Sequence, residues 1–251
     1  MIAAILVTGP EQWSVRVTIL DPVAPAAAAD GMAEAAVMRP ATPADRQIVR
    51  DIDTRVFPAA CADLEPAPAG ELEQAILDQD VYLLQLHDQP VGYLHIDSRH
   101  PDHVYLSGFG VLPEFQGHRL GTAMARLAGP ILRQHQGRRA IYTVTSPQNI
   151  RMLRILFGWN FAGRWALPDH FGPGRHRIGC QLLRETSPQS SRSVRIRTVP
   201  VAQSDQLMAL IANGWVLRSV RHAGAEAHFE LTTAGPDDFL PCPAPQLQAI
   251  F

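Results

Sequence analysis

The sequence contains no lysine, so all 22 basic residues are arginine. That is a compositional bias and not a binding signal, because 24 Asp+Glu leave a formal net charge of -2. Nucleic-acid binding needs a net basic surface, so nucleic acid is not an expected partner. Charge is scarce overall, at 18% against a typical ~25%. Cys61, Cys180 and Cys242 are odd in number and far apart, which argues against a disulfide framework and a zinc ligand set; no metal is expected. No apolar run approaches the roughly 18 residues of a membrane span. The apolar opening, Met1 to Val7, is short and follows no basic residue, which makes a poor secretion signal. The expected location is the cytoplasm, away from membranes.

What the sequence does have is core. Hydrophobic residues make up 46% of 251 positions, enough for one large domain or one domain with a small companion. Residues 1–36 read as an extension, with one candidate strand at Val15–Leu20 and a Pro/Ala-rich connector after it. A globular pattern spans 37–185. Thr42, Pro43 and Asp45 signal a helix start, and Ile48, Val49, Ile52 and Val56 follow at helical spacing. A loop from Pro58 to Gly70 leads to a helix at Glu71–Leu77. Three strands follow with short connections, at Val81–His87, Val91–Asp97 and His103–Val111. A helix from about Gly117 to Gln134, a strand at Ala140–Thr145, a helix near Gln148–Phe157 and strands at Asn160–Trp165 and Arg177–Leu183 complete the pattern. Residues 186–193 have linker composition. A small strand-helix-strand-strand module occupies 194–235, and a proline-rich tail occupies 236–251.

The chemistry lies after the third of the short-linked strands, in Val111-Leu112-Pro113-Glu114-Phe115-Gln116-Gly117-His118-Arg119-Leu120-Gly121-Thr122. A strand ends, a glycine-containing turn follows, and a helix opens directly from it. Such a helix start has backbone N–H groups without partners, and the helix dipole favours an anion there. Gly117 and Gly121 carry no side chain that would block a diphosphate. Taken alone, the same residues read equally well as a helix whose first turn holds two glycines.

This stretch resembles the acetyl-CoA loop of the GNAT acetyltransferase superfamily, Gln/Arg-x-x-Gly-x-Gly/Ala. Gln116 and Gly121 match the outer positions and Arg119 stands in place of the middle glycine; the preceding Val111-x-Pro113 is also typical. A second family motif begins at Asn149 and ends at Phe161, with Met152, Ile155, Leu156 and Asn160 as departures. His170 to Arg177 resembles the last hairpin of amine-acetylating members. The resemblance covers about Val37 to Arg184. It implies an α/β (α+β) GNAT fold, with a mixed central sheet splayed between its fourth and fifth strands and flanked by helices. It also implies acetyl-CoA as cosubstrate, with its pantetheine arm between those strands. Backbone groups of Phe109 and Val111 would pair with the arm. Amides of Gln116, Gly117, His118, Arg119, Leu120, Gly121 and Thr122 would hold the diphosphate, and Asn149 would reach the cofactor. The Val111 N–H would be the oxyanion donor.

The proton-transfer groups depart from the family. The usual acid is a tyrosine in the second motif, where this sequence has Leu156. A thiol of pKa ~8.5 is still a fair leaving group near neutral pH. Tyr142 is a substitute acid or simple packing. On the fourth strand, where the family often has an acidic base, stand Tyr105 and, two further on, Ser107. His95 and Asp97 share one face of the third strand and could relay a proton through water. Each has an ordinary reading too, as a satisfied core histidine and a solvated strand end. His100, His103, His170 and His176 read as exposed loop residues. A weak base favours an amine that is already partly neutral. Near pH 7.5 an α-amine of pKa ~7.7–8.0 is roughly a third neutral, whereas a lysine of pKa ~10.4 is neutral in about one part per thousand.

The C-terminal Gly214-Trp215-Val216-Leu217-Arg218-Ser219-Val220 resembles small bacterial domains of unknown function with a Gly-Trp-x-Leu-x-Ser-Val signature. At this size it would be marginal alone. It is expected to dock on the larger domain or to pair with another chain as a homodimer. The reading is an N-acyltransferase with a small-molecule or peptide amine acceptor. The alternative is a silent acyl-CoA sensor, and the short-linked strands before the loop disfavour a Rossmann nucleotide site.

Overall fold

The structure is a computed structural model that describes residues 33, 35–58, 70–135, 140–170, 172–183, 195–223, 226–233 and 239. The expected strand at Val15–Leu20, residues 59–69, the 186–193 linker and the tail apart from Phe239 lie outside the described residues. The chain divides into two compact units, Met1–Ser98 with Leu106–Leu132, and Arg99–Tyr105 with Arg133–Phe251.

In the first unit, β1 (Ala36–Pro40) pairs antiparallel with β2 (Val81–Leu86), which pairs antiparallel with β3 (Gln89–Asp97). The sequence places the β2–β3 turn at Asp88–Pro90. The structure makes it at His87 and Asp88, both at positive φ (49° and 64°), and Leu86 pairs with Gln89. Two left-handed residues suit a two-residue hairpin, because their twist matches that of the strands. β3 is followed in sheet order by β4 (His103–Val111). A 3-10 turn at Pro43–Asp45 opens α1 (Arg46–Val56), and α2 is Glu71–Leu77. The Asp45 carboxylate fastens this corner. It accepts the Thr42 N–H at 2.8 Å and hydroxyl at 2.7 Å, and two guanidinium N–H bonds from Arg39 at 2.8 Å each. Val49, Ile52, Leu72, Ile76, Leu83 and Tyr93 form the core between the helices and the strands. The long helix α3 covers Leu120–His135.

In the second unit, the first residues of β4 pair parallel with β5 (Ala140–Thr145), from His103↔Ala140 to Tyr105↔Tyr142. Phe109 and Val111 lie beyond that paired stretch. The order continues through β7 (Arg177–Leu182) and β6 (Phe161–Leu167), with α4 (Ile150–Gly158) between β5 and β6 in the chain. The mixed open sheet with one parallel pair and flanking helices is the architecture expected from the sequence.

The C-terminal module forms as strand β8 (Ile196–Pro200), helix α5 (Ser204–Ala212) and strands β9 (Trp215–Ala223) and β10 (Glu226–Thr233). It continues the sheet, because β9 pairs antiparallel with β6 at Gly163↔Leu217. Phe239 packs against Ala162, Val216 and Leu183, with the Arg164 guanidinium 4.7 Å above its ring. No described helix is long and apolar enough to cross a membrane, and no described group of three His, Cys, Asp or Glu could hold a metal.

Candidate functional site

β4 ends at Val111, and the Leu112 N–H bonds the Val91 carbonyl at 2.8 Å. A 3-10 turn at Pro113–Phe115 reverses the chain. The Gln116 side chain then reaches back to the Val111 carbonyl at 2.9 Å. The sequence starts the next helix near Gly117, but the structure starts it at Leu120. Gly117 and Arg119 have φ of 86° and 58°, outside the right-handed well a helix requires. A Cβ on Gly117 would meet nothing within 4 Å, so positive φ is what calls for glycine there. Arg119, standing where the family motif has glycine, adopts the same left-handed region.

The first helical bond of α3 runs from the Ala123 N–H to the Arg119 carbonyl at 3.0 Å. The amides of Leu120, Gly121 and Thr122 therefore precede the ladder and point out of the helix start. Sixteen residues of aligned peptide dipoles stand behind them. An anion meeting them gains about 0.3–1 kcal/mol from the dipole, plus its hydrogen bonds. His118 is half-buried beside them. On β4, Phe109 is half-buried, Val111 is buried, and Ser107 is exposed although it lies mid-strand. Asn149 caps α4, its side-chain oxygen accepting the Met152 N–H at 3.1 Å.

The proton-transfer candidates occupy separate surroundings. His95 is buried, with Nδ1 4.0 Å from Glu71 Oε1 on α2. Asp97 is half-buried and close enough to Asp80 to help raise that carboxyl, whose shift comes first from burial. Tyr105 is buried with its ring 5.0 Å from Tyr142, which meets Trp165 edge-on at 6.3 Å. His103 is buried, contrary to the exposure expected of it, because it opens β4 and stacks on His100 at 3.7 Å. Burial, then the charge of Arg177, lowers the His170 pKa. His176 is largely covered and bonds Asp205 of α5 through Nε2 at 3.1 Å. Leu156 is fully buried.

Sequence reasoning missed one polar pair. Tyr93 on β3 donates its hydroxyl to Asp53 on α1 at 2.5 Å, and both residues are buried. The signal was there, since Asp53 falls four residues after Val49 and three before Val56, on the apolar stripe of α1.

Residues 47–159 match the acetyltransferase (GNAT) family. Among solved structures the chain is similar to Naa50 of Arabidopsis thaliana in complex with the bisubstrate analogue CoA-Ac-MVNAL. That match has 14% identity and a TM-score of 0.49 and covers 59% of this chain and 97% of the other. The ribosomal-protein-S5-alanine acetyltransferase of Vibrio fischeri matches at 15% identity and a TM-score of 0.49, covering 62% and 97%. The yncA protein of Salmonella typhimurium, solved with its cofactor acetyl-CoA, matches at 17% and 0.48, covering 62% and 97%. No curated protein matches the sequence.

Proposed function

Because residues 47–159 match the acetyltransferase (GNAT) family, we propose that this chain moves an acetyl group from acetyl-CoA to a primary amine by direct attack on the thioester. The observation that carries this reading is the turn after β4. Two left-handed residues, Gly117 and Arg119, deliver the chain to a helix start whose first three amides face outward. Those amides, with the backbone of Gln116 to Arg119, would hold the diphosphate. Phe109 and Val111 would present backbone groups to the pantetheine arm. The Val111 N–H would be the oxyanion donor. One such donor contributes roughly 2.7–4 kcal/mol where it has been removed. Asn149 spends its oxygen on the α4 cap, so its NH2 is what it would offer the cofactor.

An α-amine, or another amine of low pKa, is the favoured acceptor. Tyr105 lies within an aromatic cluster and His95 under α2 beside Glu71, with Asp97 at the end of β3. None of the three is an ionised carboxylate on β4. An amine that is roughly a third neutral asks least of such groups. β9 occupies the β6 edge, so a homodimer would form through another surface.

Burial of Leu156 at the family's acid position favours one other reading, a sensor that binds acyl-CoA without turning it over. Calorimetric titration with acetyl-CoA, with ATP and NADH as controls, tests the cofactor site. Selective binding is expected; indifference among the three would remove the acetyl-CoA reading. Thiol release in the presence of α-amine peptides then separates enzyme from sensor. Tight binding with no CoA thiol released across a broad amine panel would leave the sensor.

A further inference from the structure

The hydrogen bond between Asp53 and Tyr93 plays no part in the chemistry proposed above. Asp53 is 3% exposed and Tyr93 1%. Burial, then the Asp53 carboxylate, then Glu71, hold the Tyr93 phenol well above its ordinary pKa, so the hydroxyl stays a donor. A buried hydrogen bond of this kind adds little stability over apolar residues of the same shape.

Its surroundings give it a different use. A Cβ on Gly108 would lie 2.7 Å from the Tyr93 oxygen and 2.8 Å from its Cε2. The ring is therefore pressed against the β4 backbone one residue before Phe109. Two residues further on, a Cβ on Gly110 would lie 2.5 Å from Val56 Cγ1, a side chain at the end of α1. From the same end of α1, Arg55 reaches Glu114 at 2.7 Å, and Phe57, the residue after it, meets the Tyr93 ring edge-on at 6.5 Å. The end of α1 and Tyr93 together form a mould for residues 108–114. Within that mould the Tyr93 hydroxyl is bonded to Asp53 on α1.

We propose that Asp53 and Tyr93 are positioning residues, which fix the ring beneath Gly108 and thereby hold the β4 backbone at Phe109–Val111 in place for acetyl-CoA. This rests on the reading that acetyl-CoA binds along β4. Neither side chain touches the reacting atoms. Both act through the strand, where displacements well under 1 Å matter to a site built from backbone groups.

The full chain is titrated with acetyl-CoA as wild type, as Asp53→Asn and as the double variant Tyr93→Phe/Asp53→Leu, and each is melted. Asparagine still accepts the tyrosine hydroxyl, so Asp53→Asn should bind within about twofold of wild type. The double variant keeps the volume and loses the anchor. It should melt near wild type yet bind about tenfold more weakly. Wild-type affinity in the double variant would overturn the positioning role while the acetyl-CoA reading stood. No binding by the wild-type protein would overturn both. Amide exchange in Tyr93→Phe gives a second readout that needs only that variant. Faster exchange confined to Gly108–Val111 supports the role, and a change spread equally over β2 overturns it.

Discussion

Gln116 donates its side-chain amide to the Val111 carbonyl at 2.9 Å, so the residue that opens the turn ties down the residue that ends β4. The tie holds the peptide between Val111 and Leu112, whose N–H bonds the Val91 carbonyl, and does not engage the Val111 N–H, which belongs to the preceding peptide. Gln116→Ala removes a bond worth about 0.5–1.5 kcal/mol. It should lower acetyl-CoA affinity by roughly twofold to thirteenfold, the same free energy read as binding. Gln116→Glu sets a carboxylate against the carbonyl and should bind more weakly than the alanine variant. Calorimetry on the three proteins checks the order, and equal affinities would mean that the tie plays no part in the site.

Arg119 sits at φ 58° immediately before α3. A residue with a Cβ carries roughly 1–2 kcal/mol of strain there, and glycine carries none. Arg119→Ala removes the side chain and keeps the strain, whereas Arg119→Gly removes both. The glycine variant should therefore be more stable than the alanine variant by about 1 kcal/mol, less the extra chain entropy glycine loses on folding. Denaturant melts of the two variants measure the difference; an alanine variant as stable as the glycine one would mean that the backbone there relaxes without cost.

Much of the fold was legible because its elements follow simple periods. β4 and β5 are short runs buried almost throughout, and α2 and α5 have helical apolar faces with clear ends; the limits of all four agree with the sequence reading to the residue. The turn after β4 was legible as a turn into a helix, and the helix start within it was misplaced. Nothing in the string Gln116-Gly117-His118-Arg119 shows that arginine adopts a left-handed conformation, so the helix was begun three residues early. His103 reads in the sequence as an exposed loop residue, yet it opens β4 and stacks on His100. Asp53 and Tyr93 meet across 40 positions of sequence, and no local period reports a contact of that span.

Leu156, at the position where the resemblance would place a family acid, is fully buried in α4. A tyrosine placed there would add a ring and a hydroxyl to a filled site. Overpacking costs about 1–3 kcal/mol, and the hydroxyl would need a partner as well. Leu156→Tyr should lower the melting temperature without speeding CoA release. A rate increase approaching the ~10²-fold of general acid catalysis would instead show that the hydroxyl reaches the thioester sulfur.

Asp45 supplies an acid-sensitive corner. The bidentate Arg39 guanidinium, then the Thr42 amide and hydroxyl, hold its carboxyl well below the usual range against the opposing effect of burial. A carboxylate with a lowered folded pKa contributes its stability above its unfolded pKa of ~3.9 and loses it as pH falls further. Thermal melts should show a fall in stability below about pH 4 that is smaller in Asp45→Asn. Parallel pH curves for the two proteins would place the acid sensitivity elsewhere.

The junction between β6 and β9 depends on the absence of a side chain at Gly163. A Cβ there would lie 2.8 Å from Ile178 Cγ2 and 3.0 Å from Leu217 Cβ, the second belonging to the C-terminal module. Gly163→Ala should destabilise the protein by about 1–3 kcal/mol through crowding. Leu217 is fully buried, so Leu217→Ala should cost about 2–5 kcal/mol by leaving a cavity. Leu217→Ala keeps its Cβ but removes Cδ2, which lies 3.4 Å from a Cβ at position 163, so the two losses should overlap in part. The double variant is expected to fall short of the summed cost by at least 0.5 kcal/mol, about the least coupling seen for residues in contact. Additive losses in denaturant melts would mean that β9 does not bear on β6 at this point, and that the module is held to the sheet by its other contacts.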